Sequence, residues 1–324
     1  MREKFEGHIY NDIPAEWDLL TKENPLMHAA FLSILKKSNP NQFRMVTHSD
    51  YCCCEYKMKM NILTFSKMKL NVTMTVIGLP VSICAPGYVG DLQSLIRDYK
   101  KRRGLFVILN IPKQPININA AVGETLGNCV FENKWDAFDE YLSAMKSGYR
   151  RRINIALKKG ETLQWRSVAR QDFTDEMYNL YLNVLQKSKY PLECLSIDFF
   201  RIFPGEICCL CEKDKPLAFV LLKEEKKKLS FVFGGMDYSK RNQYDLYMNM
   251  LVFMIKECIK RKCNIVDLGQ TAEDSKMRVG ATILRRYLCV FSGNKFISAL
   301  LKHMVGVFSY EIKRIRHGIW KTTS

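Results

Sequence analysis

The chain has 324 residues, enough for two domains of ordinary size or one double-sized unit. Its 47% hydrophobic and 26% charged residues exclude a disordered or collagen-like chain and allow a core of normal size. Fifty Lys+Arg against 33 Asp+Glu give a formal charge of +17, which favours polyanionic partners such as nucleotides, nucleic acid or an anionic surface. Most of that excess lies beyond residue 135.

The opening Met1-Arg2-Glu3-Lys4-Phe5-Glu6 has no apolar stretch of the secretory kind. The longest uncharged run, Leu70 to Gly90, is interrupted by Asn71, Pro80, Ser82 and Pro86 and does not read as a membrane helix. A soluble, cytoplasmic protein is the expectation. Twelve cysteines form two clusters, Cys52-Cys53-Cys54 and Cys208-Cys209-x-Cys211. Neither has the spaced pairs of a zinc site, and both lie in strand-like runs, where reduced Cys acts as a small hydrophobe. No metal is expected.

In chain order, Gln42–His48, Tyr51–Phe65 and Lys69–Ile83 read as strands, Asp91–Arg103 as a helix and Leu105–Asn110 as a strand. Asp136–Lys159 carries Phe138, Tyr141, Leu142, Met145, Tyr149 and Ile153 at helical spacing, with Asp136 and Asp139 as a capping pair and Gly148 as the division between two helices. Helices are expected over Asp172–Lys187 and Ser196–Phe203. The strand runs Glu206–Cys211, Leu217–Leu222 and Leu229–Gly235 are joined by charged turns. Helix Tyr244–Lys262, strand Ile265–Gly269 and a basic amphipathic helix Phe296–Trp320, read as packed on the core with membrane docking as the alternative, complete the chain. The order strand-strand-strand-helix-strand occurs twice, which implies a duplication with domains 1–135 and 136–324.

Walker, dinucleotide-binding, zinc-protease and nucleophile-elbow motifs are absent. Two constellations remain. Strand residues Gly234-Gly235 precede the polar loop Tyr238-Ser239-Lys240-Arg241-Asn242 and a helix, an arrangement suited to phosphate but equally to a solvated turn. Asp267-Leu268-Gly269 closes a short strand, and the polar segment Gln270 to Ala281 follows it, with Glu273, Asp274, Lys276 and Arg278. Loops after strand ends are where α/β proteins place ligands. A charged helix face, with Lys276 against Glu273, is the plainer alternative.

Those two segments, with Tyr149-Arg150-Arg151-Arg152-Ile153-Asn154 on the helix before them, resemble the C-terminal domain of FemAB-type proteins in the GNAT acyltransferase superfamily. The resemblance covers about residues 136–290; over 1–135 only Pro25 to Leu35 and the repeated element order agree. It implies an α+β fold of tandem GNAT-like domains with mixed central sheets flanked by helices, the C-terminal one binding the donor. It implies donor carbonyl polarisation near Phe233-Gly234-Gly235, a phosphate loop at Tyr238 to Asn242 and Lys276 at the acyl-transfer centre. The loop lacks the glycine-rich form usual for CoA.

The reading is therefore an N-acyltransferase moving an acyl group from a phosphorylated carrier, first acyl-CoA, to an amine of a small molecule or cell-envelope precursor. Either carrier is a cosubstrate, with no tightly bound cofactor. Amide formation needs a base and oxyanion donors. Gly235 and Lys276 are the candidate donors, Glu273 or Asp267 the base, and Tyr238 the acid for the leaving group, although Asp267 also reads as a capping acid. Gly234, Ser239, Lys240, Arg241 and Asn242 would bind the carrier. Arg150, Arg151 and Arg152 suit phosphate or RNA. The alternatives are a Fem-type aminoacyl-tRNA-dependent ligase, with tRNA as partner, and a non-catalytic nucleic-acid-binding module. The basic charge also allows peripheral association with an anionic surface.

Overall fold

The computed structural model describes residues 4–61, 63, 70–189, 192–311 and 317–321. They form two compact units: residues 1–126, 192–199 and 285–312, and residues 127–191, 200–284 and 313–324. The segments 192–199 and 285–312, which chain order had assigned to the C-terminal domain, belong to the first unit.

The first repeat comprises β1 (His8–Tyr10), α1 (Trp17–Leu20), α2 (Ala29–Ser38), β2 (Phe43–Thr47), β3 (Tyr51–Asn61), β4 (Asn71–Ile77), β5 (Tyr88–Gly90), α3 (Leu92–Tyr99), β6 (Leu105–Ile111) and β7 (Ala121–Glu132). Strands β1 to β4 pair antiparallel in sequence order, and β4 pairs β6 in parallel across the helical crossover α3. Asp91 starts that helix by accepting the Ser94 N–H at 2.7 Å. The run Tyr51–Tyr56 is buried on both faces of the sheet, so its three cysteines are core residues. Leu95, Ile96 and Tyr99 of α3 pack with Phe106, Ile108 and Phe291.

The second repeat comprises α4 (Phe138–Ala144), α5 (Ser147–Lys159), β8 (Gln164–Val168), α6 (Asp175–Lys187), α7 (Ile197–Ile202), β9 (Glu206–Glu212), β10 (Lys215–Glu225), β11 (Lys228–Met236), α8 (Arg241–Tyr244), α9 (Leu246–Lys260), β12 (Ile265–Asp267), α10 (Glu273–Met277), β13 (Thr282–Ser292), α11 (Lys295–His303) and α12 (Val305–Phe308). Strands β8 to β11 are antiparallel neighbours, and β11 pairs β12 in parallel with α9 as the crossover. Buried Leu246, Leu251, Met254 and Ile255 of α9 pack with Leu217, Val220 and Leu229 of the sheet. Cys209 and Cys211 sit in this sheet, the Cys209 Sγ donating to the Ala218 carbonyl at 3.3 Å.

Each repeat gives its last strand to the other unit. Strand β7 passes into the second unit at Gly127 and pairs β12 antiparallel; β13 passes into the first at Arg285 and pairs β6 antiparallel. The break between α4 and α5 falls at Met145–Lys146, not at Gly148, which is helical. The capping carboxylate is that of Glu140, which accepts the N–H groups of Asp136 and Ala137. The expected helix Phe296–Trp320 is replaced by α11 and α12, because Tyr310 donates its N–H to Glu124 and Trp320 bridges to Met145. Residues 312–316 of that expected helix lie outside the described residues. Among the described residues, no helix is long and apolar enough to cross a membrane.

Candidate active site

The site begins where two parallel strands part. Strand β12 accompanies β11 only from Lys228↔Ile265 to Ser230↔Asp267, whereas β11 continues on β10 as far as Met236. Asp267 turns the chain away. One carboxylate oxygen accepts the Gly269 N–H at 3.0 Å and the other pairs with the Lys228 ammonium at 2.7 Å. Gly269, Thr271 and Ala272 then take left-handed conformations, with φ of +72°, +64° and +49°. A β-branched residue such as Thr271 avoids this region, and each such residue costs about 1–3 kcal/mol.

Lys276 holds the bent loop from inside. It is 2% exposed, and its ammonium donates to the carbonyls of Gln270 at 2.7 Å and Gly269 at 3.1 Å. The same Gly269 carbonyl accepts the Cys129 N–H of β7 at 3.0 Å. Glu273 is half-buried in the first turn of α10.

Gly234 and Gly235 face opposite ways on β11. A side chain at Gly234 would meet the Phe231 ring at 2.7 Å and Met250 of α9 at 2.8 Å. One at Gly235 would meet the α6 backbone at Leu180 and Tyr181, both at 2.6 Å. Both glycines therefore let helices close on the strand. The loop that follows is self-satisfied. Asp237 accepts the Ser239 N–H at 2.8 Å and its hydroxyl at 2.7 Å. Burial raises the Asp237 carboxyl, and these Ser239 bonds together with the Lys240 amide outweigh it, leaving the carboxyl below its usual range. Lys240 donates to the Gln243 side chain, and the Arg241 guanidinium lies 5.9 Å from the Tyr238 ring centre. Burial raises the half-buried Tyr238 hydroxyl.

Helix α5 connects the two constellations. Arg152 grips Asp245, the residue before α9, through both guanidinium nitrogens, and Lys159 donates to the Asn242 carbonyl at 2.9 Å. At its first turn the Tyr149 hydroxyl lies 3.1 Å from His317 Nδ1, and His317 Nε2 lies 2.9 Å from Asp274 Oδ1. Tyr149 and Arg152 stand about 4.5 Å apart along the helix axis. Asp274 also pairs with Arg278, which with His317 lowers its carboxyl.

The structure thus joins Arg152 to Asp245, three residues after the Tyr238–Asn242 loop, and brings Asp274, beside Glu273 and Lys276, to Tyr149 through His317. Arg150 points to the Met145 carbonyl and Arg151 is exposed. Gly235 and Lys276 have separate surroundings, one against α6 and one beneath the 269–272 loop. His317 and the Asp245–Arg152 pair carried no sequence signal, since their partners lie 43 and 93 residues away.

No family model and no curated protein matches the chain. Solved structures do. The chain is similar to L-PGS from Bacillus licheniformis, with 11% identity, TM-score 0.53 and coverage of 94% of this chain and 100% of that one. It is similar to the C-terminal domain of an Agrobacterium fabrum protein named as a lysylphosphatidylglycerol synthetase, with 12% identity, TM-score 0.52 and coverage of 86% and 94%. The FemX structure matches with 13% identity, TM-score 0.50 and coverage of 92% and 100%. At these identities the likeness concerns the fold. The chain shares the fold of these structures, and it has the expected mixed sheets flanked by helices.

Proposed function

We propose that the protein is an N-acyltransferase whose second unit takes an acyl group from a phosphorylated carrier and passes it to an amine. The observation that carries this reading is the parting of β11 and β12 after Ser230, beside a strained loop held by a buried ammonium. A strand that has lost its neighbour offers backbone N–H and C=O groups to an extended acyl carrier, and donors of this kind suit an oxyanion. The amine nitrogen attacks the acyl carbon, the carrier's C–O or C–S bond breaks, and the nitrogen gives up its proton. The Tyr149–His317–Asp274 chain is the proton acceptor this reading favours, in place of Glu273.

For the carrier, the geometry favours an aminoacyl-tRNA ester over acyl-CoA. Asp237 occupies amides of the loop that would meet CoA phosphates, and Asp245 stands at the start of α9. Exposed Arg151, Lys158, Lys159 and Arg241, with half-buried Lys240, instead spread positive charge along α5 and α8, which suits a chain of phosphates. The name of the Agrobacterium protein, a synthetase of a lysyl lipid, is in keeping with an aminoacyl donor.

The test is thermal unfolding with uncharged and aminoacylated tRNA and with acyl-CoAs, paired with transfer of labelled amino acid to model amines. A true donor at a hundredfold excess over its Kd stabilises by about 2.7 kcal/mol. Salt-sensitive stabilisation by charged tRNA with label transfer is expected. Stabilisation by acyl-CoA alone would overturn the choice of carrier, and tRNA binding without transfer would favour the non-catalytic module.

A further inference from the structure

The first unit carries a basic cavity of about 910 Å³ at the end of α3, lined among others by Arg97, Lys100, Asn117, Asn119, Lys295 and Phe296. Lys100 donates to the Asn119 carbonyl and Lys302 to the Asn119 side chain at 2.8 Å, so two ammonium groups share one asparagine. Among the described residues, no carboxylate pairs with Arg97, Lys100, Lys295 or Lys302; Lys101, also in the lining, is balanced by Glu6 and Asp98. Burial and the neighbouring Lys302 lower the Lys100 ammonium, as expected for crowded positive charge without a counterion.

Beside this cavity α11 turns apolar side chains to solvent. Phe296 is 88% exposed, Leu300 59% and Ile297 41%. The helix cannot roll to bury them. Asn294 caps the Phe296 and Ile297 amides, Ser298 exchanges hydrogen bonds with Ser292, and Leu301 is buried beneath. Gly293 fixes the corner, because a Cβ there would lie 2.1 Å from the Arg102 carbonyl oxygen. The apolar side of the expected C-terminal helix is therefore only partly spent on the core.

We propose that α11 and the adjoining cavity form a docking surface for anionic phospholipid bilayers, with Phe296, Ile297 and Leu300 entering the acyl boundary and the unpaired lysines meeting headgroup phosphate. Short helices with aromatic and aliphatic side chains flanked by Lys lie in this way at the membrane interface. The exposed apolar residues favour a bilayer over RNA, whose backbone needs the cations alone. This inference rests on the first unit and does not depend on acyl transfer.

The test is cosedimentation of the full chain with phosphatidylcholine vesicles, with or without about one third phosphatidylglycerol. Anionic vesicles are expected to bind roughly tenfold more protein than neutral ones, and Phe296→Ser/Leu300→Ser to lose most of that binding. Both substitutions are at the surface, so an unchanged melting temperature is the folding control. Lys295→Glu/Lys302→Glu is expected to abolish the preference for anionic lipid. Equal binding to both vesicles, or full binding by the Phe296→Ser/Leu300→Ser variant, would overturn the proposal. So would a dimer of the wild type that the same variant breaks, or tRNA binding lost in that variant.

Discussion

His317 Nε2 stands 2.9 Å from Asp274 Oδ1, while its other ring nitrogen faces the Tyr149 hydroxyl, so one imidazole ties the first turn of α5 to α10. A carboxylate that fixes one nitrogen leaves the other to exchange a proton with the phenol, and such positioned groups contribute about 10²–10⁴-fold to transfer. Tyr149→Phe keeps the ring and removes the hydroxyl. Label transfer is expected to fall at least tenfold with the melting temperature little changed, and Asp274→Asn should shift the pH profile of the residual rate. Full activity in Tyr149→Phe would reduce the chain to a structural tie.

Lys276 anchors the loop after β12. Removing its ammonium leaves the Gly269 and Gln270 carbonyls short of a buried donor and frees a loop held in left-handed conformations. Lys276→Met, similar in volume, is expected to cost about 2–3 kcal/mol in denaturant unfolding, a charged donor to buried acceptors being worth that much. Loss of transfer with unchanged stability would instead place Lys276 at the reacting carbonyl. Unchanged transfer and unchanged stability would remove it from both roles.

Much of this architecture is legible in the sequence because it is local. The runs of β9 to β11, the crossover helices α3 and α9 and the two parallel strands after them follow from periodicity and charged turns. The exchange of β7 and β13 is not legible, since Thr282–Ser292 carries Arg285 and Arg286 and its partner β6 lies some 180 residues away. At the site, Asp267 ends its strand as a capping acid reads. Asp237 turns back on Ser239 two residues on, and Asp245 meets Arg152 from 93 residues away; composition cannot distinguish either acid from a solvated turn residue.

Glu193 gives the first unit a pH dependence. It lies in the segment 192–199 and accepts the Ser82 N–H at 2.9 Å and the Ser82 hydroxyl at 2.8 Å. Burial pushes its carboxyl up to about 7 from 4.5, against those hydrogen bonds. The folded chain thus holds this proton more tightly than the unfolded one. The group's contribution to stability is fullest below about pH 4.5, declines as pH rises to about 7 and stays reduced above that. Glu193→Gln mimics the protonated form. It is expected to melt higher than the wild type at pH 8, by up to roughly 3 kcal/mol of stability, with the gap closing towards pH 4.5. A gap that does not vary with pH would contradict this assignment.

Glu55 is buried yet ionised, and its two arginines should differ sharply in their contributions. The carboxylate is fully inaccessible and takes Arg102 at 2.6 and 3.3 Å, Arg44 at 2.6 Å and the Tyr99 hydroxyl at 2.9 Å. Burial raises its proton affinity, the Arg102 bonds more than reverse this, and the net pKa is lowered. Arg102 is itself mostly buried, with its guanidinium 4.8 Å from the Phe5 and Tyr99 ring centres, whereas the Arg44 side chain is 40% exposed. Removing one partner of a buried pair costs about 3–5 kcal/mol, because the survivor keeps its desolvation penalty. Arg44 stays partly in water, which screens its attraction, and its removal leaves Arg102 on the carboxylate. Arg102→Ala is thus expected to cost several times more than Arg44→Ala in urea unfolding at pH 7. Because the Glu55 pKa is lowered by folding, both costs should shrink as pH falls below about 4.5 and the carboxylate takes up its proton. Equal costs for the two substitutions would mean that charge alone, without burial, sets the strength of this cluster.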